Sequence, residues 1–132
     1  MNFRDREKGF TLLELMIVVT IMLILLSIAG GNYQRSVLRS KEAVLKQDLF
    51  VMRTAIEQFT LDKQAAPQSL EELVSAGYLR SVPTDPITGR ADWRPIYDDL
   101  LLSPEQVVTG ITDVKSSSEL TSPFEGTPYS SW

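Results

Sequence analysis

Neither cysteine nor histidine occurs among the 132 residues of the chain. Without cysteine there are no disulfides, thiolate nucleophiles, iron–sulfur ligands, thiolate zinc sites or lipid-modified thiols. Without histidine there is no Ser-His-Asp arrangement and no imidazole metal ligand. Positive charge is also short, with 13 Lys and Arg against 17 Asp and Glu. The resulting net charge of −4 argues against general nucleic-acid binding, which needs cations to neutralise phosphates. The length suits one modest domain with an appended segment. An apolar fraction of 43% is ordinary for a globular protein, but here the apolar residues are segregated along the chain.

Residues 1–9 carry Arg4, Arg6 and Lys8 against Asp5 and Glu7. The twenty residues from Phe10 to Ala29 that follow hold a single charge, Glu14. As a helix this run extends about 30 Å, the thickness of a bilayer's hydrocarbon core. The basic residues before it place the N-terminus in the cytoplasm and everything after Gly30 on the far side of the membrane. A secretory signal peptide is one reading, with Ser27-Ile28-Ala29 as a small-residue cleavage site. Its apolar core would run to about 17 residues and enclose a carboxylate, against the usual ~7–15. A plain membrane anchor is a second reading, and it too leaves Glu14 without a purpose. An acidic group at that depth costs roughly 2–3 kcal/mol or more, so a partner or a function is the default expectation.

A third reading makes use of the charge. The stretch Lys8-Gly9-Phe10-Thr11-Leu12-Leu13-Glu14-Leu15 resembles the processing signal of type IV pilins and pseudopilins. That family shares a short charged leader, a Gly, and Phe-Thr-Leu-Leu-Glu opening an apolar helix. The resemblance implies cleavage after Gly9 by prepilin peptidase, N-methylation of the new N-terminus at Phe10, and a buried assembly glutamate at Glu14. Physically, a Gly leaves the bond unobstructed, and cleavage exposes an α-amino group on Phe10. Glu14 lies one helical turn from Phe10. A buried carboxylate needs a cation, and an α-ammonium from its own or a neighbouring subunit is the nearest candidate.

Past the apolar run, Gly30-Gly31 lowers helix stability by roughly 1 kcal/mol per residue relative to Ala. A bend or local melting is expected there, with close helix packing as the alternative. From Tyr33 to Asp62, Leu38, Leu45, Leu49, Met52, Ile56 and Phe59 mark one apolar stripe of helical period. The stripe reads as a seam for a globular domain. A coiled coil is less suitable, since only about three heptads are available and Glu42 interrupts the seam. Pro67 ends the helix. Ser69-Leu70-Glu71-Glu72 is a capping-box pattern for a short helix to about Ala76, with Gly77 past its end. Pro83 to Pro86 forms an extended loop, and with Gly89 and Trp93 it again resembles pseudopilins. Short strands are expected around Trp93–Tyr97, Leu100–Leu102 and Val107–Lys115, with turns at Asp98-Asp99 and Ser103-Pro104. The tail from Ser116 to Trp132 has the composition of a disordered segment. Its Phe124, Tyr129 and Trp132 favour a loop packed back on the sheet.

The fold class is therefore α+β: a long N-terminal helix on a small domain with a short helix and an antiparallel sheet. The segments are a leader at 1–9, a transmembrane and assembly helix at 10–29, its amphipathic continuation at 30–62, and a periplasmic part at 63–132. The resemblance is closest to the major pseudopilin of type II secretion. It implies a homopolymer built through the N-terminal helix, with prepilin peptidase, other pseudopilins and inner-membrane assembly proteins as partners. The small globular part and the missing cysteine pair favour a pseudopilin over a surface pilin, which is the alternative. A membrane-anchored periplasmic binding or enzyme domain is an alternative of a different class. The resemblance also raises calcium in a C-terminal loop, where Asp113, Ser117 and Glu119, beside Ser116, Ser118 and Glu125, supply oxygens. These are fewer acidic groups than the family loop carries, and solvated loop polarity is the reading adopted. No residue is assigned a catalytic role, since the other carboxylates are scattered and no phosphate-binding loop is present.

Overall fold

The structure is a computed structural model that describes Gly9 and residues 11–132. Its elements are helix α1 (Leu12–Lys63), helix α2 (Leu70–Ser75), strand β1 (Arg94–Ser103), strand β2 (Gln106–Lys115) and a closing 3₁₀ turn at Tyr129–Ser131. The described chain divides into two compact units, with the boundary between Arg39 and Ser40.

From Leu12 onward the first unit is helix alone. Thr11 starts it: its hydroxyl accepts from the Glu14 N–H at 3.1 Å and its carbonyl from the Leu15 N–H at 3.0 Å. Apolar side chains then face outward on all sides, Leu12 being 81% exposed and Leu26 66%. Such a surface is stable only in an apolar solvent or against other apolar helices. Farther along the run two hydroxyls donate to backbone carbonyls one turn back, Thr20 to Met16 at 2.7 Å and Ser27 to Leu23 at 3.0 Å. Helix α1 continues unbroken through Gly30 and Gly31, so the expected local melting does not occur. Helix formation is cooperative, and the flanking turns carry the chain across two weak residues.

In the second unit α1 buries Leu45, Leu49, Met52, Ile56 and Phe59 of the stripe the spacing predicts, and with them Glu42, Ala55 and Thr60; Leu38, in the first unit, is not among the buried residues. Against this face lie Leu70 and Leu73 of α2, Leu79, Trp93, Ile111 and Val114 of β2, and Tyr129. The helix ends at Lys63, and Gln64 takes the left-handed conformation (φ 52°) of a residue past a helix end. Helix α2 is capped as expected: the Ser69 hydroxyl accepts from the Glu72 N–H at 3.2 Å, and Gly77 follows at φ 88°. The Glu72 carboxylate reaches back to the Gln68 N–H at 2.7 Å.

The sheet differs from expectation. The segments Trp93–Tyr97 and Leu100–Leu102 merge into the single strand β1, which pairs antiparallel with β2 in a two-stranded sheet. Asp98 and Asp99 make no turn; they lie opposite Gly110 and Thr109, and Asp99 accepts from the Thr109 hydroxyl. Charged pairs suit an exposed strand, where they discourage edge-to-edge association. Two irregularities fall elsewhere: Thr112 of β2 is extra between the Ile96–Asp113 and Tyr97–Ile111 pairs, and Leu102 of β1 between the Leu101–Val107 and Ser103–Gln106 pairs. Pro104 and Glu105 form the hairpin turn.

One contact fixes the hairpin on the helical part. Gly110 passes so close to the segment after α1 that a β-carbon there would meet Ala66 Cβ at 2.6 Å and Pro67 O at 2.8 Å. The Ile111 N–H donates to Pro67 O at 2.8 Å, and Gln68 Nε2 donates to Thr109 O at 2.8 Å. Gly110→Ala is expected to destabilise the second unit by about 1–3 kcal/mol through overpacking. Thermal unfolding of the full chain in detergent checks this; an unchanged Tm would contradict the close approach.

Candidate functional site

The residues singled out at the N-terminus sit where a chain enters a helix. Gly9 is exposed at φ 103°, a conformation that L side chains rarely adopt, and nothing lies within 4 Å of where its Cβ would be. Phe10 lies outside the described residues. Glu14 is exposed in the first turn of α1, with its N–H held by Thr11. The partial positive charge of a helix N-terminus favours a carboxylate there. Among the described residues no ion pair includes Glu14. Thr11 as the cap was overlooked in the sequence, although Thr11-Leu12-Leu13-Glu14 spells a capping box.

A second polar constellation pins the C-terminal tail. Glu42, the apparent interruption of the seam, is only 6% exposed. Its Oε1 accepts from Ser122 Oγ at 2.6 Å and from Tyr129 Oη at 2.7 Å. Burial and this carboxylate push the Tyr129 phenol up to about 12. Eleven residues on, at three turns, Arg53 Nε donates to Asp113 Oδ1 at 2.7 Å, and Nη2 donates to the Val114 and Trp132 carbonyls at 3.1 and 2.7 Å. Lys46 pairs with Glu125 and lies 5.0 Å from the Trp132 ring centre. Tyr129 and Trp132 meet edge to face at 4.9 Å. The tail therefore packs back as expected, and it is held by charged residues of α1 as well as by its aromatics.

The Pro83–Pro86 loop is organised around Asp85, which is fully buried. Its carboxylate accepts from Ser116 Oγ at 2.6 Å and the Ile87 N–H at 2.8 Å. Trp93 Nε1 donates to Pro83 O at 2.6 Å, closing the loop onto the core. Partial burial, and then the Asp85 charge, hold the Asp48 carboxyl above its usual range.

The structure does not gather the candidate calcium ligands. Asp113 is engaged by Arg53, Glu119 is exposed, and Ser117 faces Asp92. Hydrogen bonding from Thr88 is the main cause holding the Asp92 carboxyl below its usual range, with Ser117 contributing. Ser116 serves Asp85 and Glu125 serves Lys46. Among the described residues no three acidic side chains are placed to hold a metal ion.

Removing the tail's anchor has two readouts. Glu42→Ala leaves two buried hydroxyls without an acceptor and is expected to cost about 1–3 kcal/mol, with faster proteolysis within residues 116–132. The Tyr129 phenol has a folded pKa above its unfolded value of about 10. Its contribution is therefore complete below pH ~10 and is lost as pH rises toward about 12. Thermal melts are expected to show wild type losing stability over that window more steeply than Tyr129→Phe. Parallel losses would contradict a buried, carboxylate-bonded phenol.

Comparison with known proteins bears on the N-terminal geometry first. The family model for the prokaryotic N-terminal methylation motif matches residues 4–30. The chain is 32% identical over 118 residues to the type II secretion system core protein G of Klebsiella pneumoniae, covering 77% of this chain and 79% of that protein. It is 30% identical over 132 residues to the core protein G of Klebsiella michiganensis, covering 88% and 86% respectively. It is also 48% identical over 63 residues to the type IV major fimbrial protein FimA of Dichelobacter nodosus, which covers 48% of this chain and 40% of that one. No solved structure gives a significant match.

Proposed function

Because the chain belongs to the type II secretion system core protein G family of pilin-like pseudopilins, we propose how its residues serve as a pseudopilus subunit. The precursor spans the inner membrane once through the apolar half of α1, with residues 1–9 in the cytoplasm and the second unit in the periplasm. Prepilin peptidase hydrolyses the Gly9–Phe10 bond. Gly9 suits this step because its backbone conformation and its open surroundings present the bond without a side chain. The new α-amino group on Phe10 is methylated and stays cationic.

The observation that carries the reading is the exposed Glu14 carboxylate in the first turn of an otherwise apolar helix. In lipid as a single copy it is costly. Among identical helices it pairs with the Phe10 ammonium of the neighbouring subunit. The Thr11 cap fixes the turn that carries Glu14, so the pairing sets a stagger between adjacent copies. Growth of the filament moves secreted proteins toward the outer membrane, working with other pseudopilins and inner-membrane assembly proteins. The role is structural, as it is for the relatives. Identity to the fimbrial protein is confined to about half of the chain, whereas core protein G matches extend across most of it, which favours the pseudopilus over a surface pilus.

Mass spectrometry of the mature protein, with filament counts from overproducing cells, checks both steps. The expected mature N-terminus is N-methylated Phe10. Glu14→Ala is expected to be cleaved normally and to form at least tenfold fewer filaments. An intact Met1, a start at Gly30, or undiminished filaments from the variant would contradict the proposal.

A further inference from the structure

The second unit carries an apolar groove that its own folding leaves open. Helix α1 and the hairpin enclose a cavity of about 370 Å³, lined by the buried Ile56 and Ile111 and by Thr60, Leu61, Leu100 and Leu102. Leu61 on its rim is 67% exposed, a large apolar group left in water. The charges around the groove are of one sign. Glu57 lines it, and the hairpin from Pro95 to Val114 holds no Lys or Arg, while its Asp98, Asp99 and Glu105 are exposed. Past Arg53 the sole cation of α1 is its last residue, Lys63. An apolar floor with an acidic rim is complementary to an apolar surface that carries a cation.

The opposite flank of α1 has that composition. Val44 and Val51, about two turns apart and so on one line of the helix, are 48% and 40% exposed. Lys41, exposed one turn before Val44, is in no ion pair among the described residues. Asp48 on the same stretch is half-buried, and burial, then the Asp85 charge, disfavour its ionised form. Thr60 lies about two and a half turns past Val51, which is half a turn around the helix from it. Groove and ridge therefore face opposite ways from one helix. Complementary surfaces on opposite sides of a subunit do not close a two-fold dimer; they add copies head to tail.

We propose that the groove between α1 and the β1–β2 hairpin receives the Lys41–Val51 ridge of a second copy of this chain. The contact rests on the pseudopilus reading given above and names the surfaces through which the second units join. Copies paired through Glu14 run parallel, so each presents its ridge to the groove of the next. The two valines cover the apolar floor, and Lys41 meets the acidic rim.

The test exploits the absence of native cysteine. Val51→Cys and Leu61→Cys are produced together on separate full-length chains, and the cells' filaments are treated with a short bismaleimide. The mixed chains are expected to crosslink, and each variant alone to stay uncrosslinked. A chain carrying both substitutions is expected to give a ladder of dimers, trimers and longer species, because a head-to-tail contact repeats. A dimer from either variant alone, or a doubly substituted chain that stops at the dimer, would mark a two-fold contact and overturn the proposal. Val51→Glu, at an exposed position, is expected to keep its helix content by circular dichroism and to form at least about tenfold fewer filaments. Undiminished filaments from it would also overturn the proposal. Filaments that form but give no crosslink from the mixed chains contradict the ridge-in-groove contact alone. Absence of filaments from the wild-type chain contradicts the pseudopilus reading and the contact that rests on it.

Discussion

In the proposed assembly, a carboxylate in the first turn of an apolar helix is the constraint on which function turns. Glu14 is stabilised by the helix N-terminus, but that partial charge is too weak to offset transfer into hydrocarbon. The chain places no cation of its own described residues beside it. On the proposed reading, a subunit alone in lipid would carry an electrostatic demand that a row of identical subunits meets. Hydrophobic matching alone would let such helices slide against one another. The proposed charge pair would give them a register, much as a single polar residue does in a coiled coil.

The second unit solves a different problem: how to attach a tail without disulfides. A chain lacking cysteine needs other staples for a small core. Here α1 supplies them through Glu42 and Arg53, which reach residues 79–87 positions away in the sequence. Asp85 plays the same part for the loop before the hairpin. The Glu42 and Asp85 carboxylates are buried and each accepts two hydrogen bonds, and among the described residues no buried side-chain nitrogen or oxygen lacks a partner. Fully satisfied polar networks of this kind fix one arrangement among many that apolar packing would allow. Satisfied polar contacts in the second unit and, on the proposed reading, the Glu14 charge in the first divide the labour between folding and assembly.

What the sequence revealed follows the same division. Local signals were readable: the Ser69 cap and Gly77 stop of α2, the apolar stripe on α1, the end of the helix before Pro67, and the Gly9–Glu14 pattern. Non-local signals were not. Glu42 looked like a flaw in the stripe because its partners, Ser122 and Tyr129, lie at the far end of the chain. Asp98-Asp99 suggested a turn because local propensity cannot show that Gly110 and Thr109 pair opposite them. Gly30-Gly31 suggested a break because propensity per residue ignores the cooperativity of a 52-residue helix. The oxygen-bearing residues between Asp113 and Glu125 read as solvated loop polarity because their partners are distant; in the structure Asp113, Ser116, Ser117 and Glu125 meet Arg53, Asp85, Asp92 and Lys46.

The most direct measurement is a distance between two copies inside an assembled filament. Filaments are grown from an equal mixture of protein carrying ¹³C-labelled glutamate and protein carrying ¹⁵N-labelled phenylalanine, and solid-state NMR measures dipolar coupling from the Phe10 amine to carboxyl carbon. The amine is distinguished from the amide nitrogens by its shift, and the mixture makes every observed contact intermolecular. The expected result is a coupling at ion-pair separation, about 4 Å or less, which vanishes with Glu14→Gln-labelled partners in which the side chain carries no label. Absence of any such coupling in well-ordered filaments of the wild-type chain would contradict charge pairing as the basis of assembly.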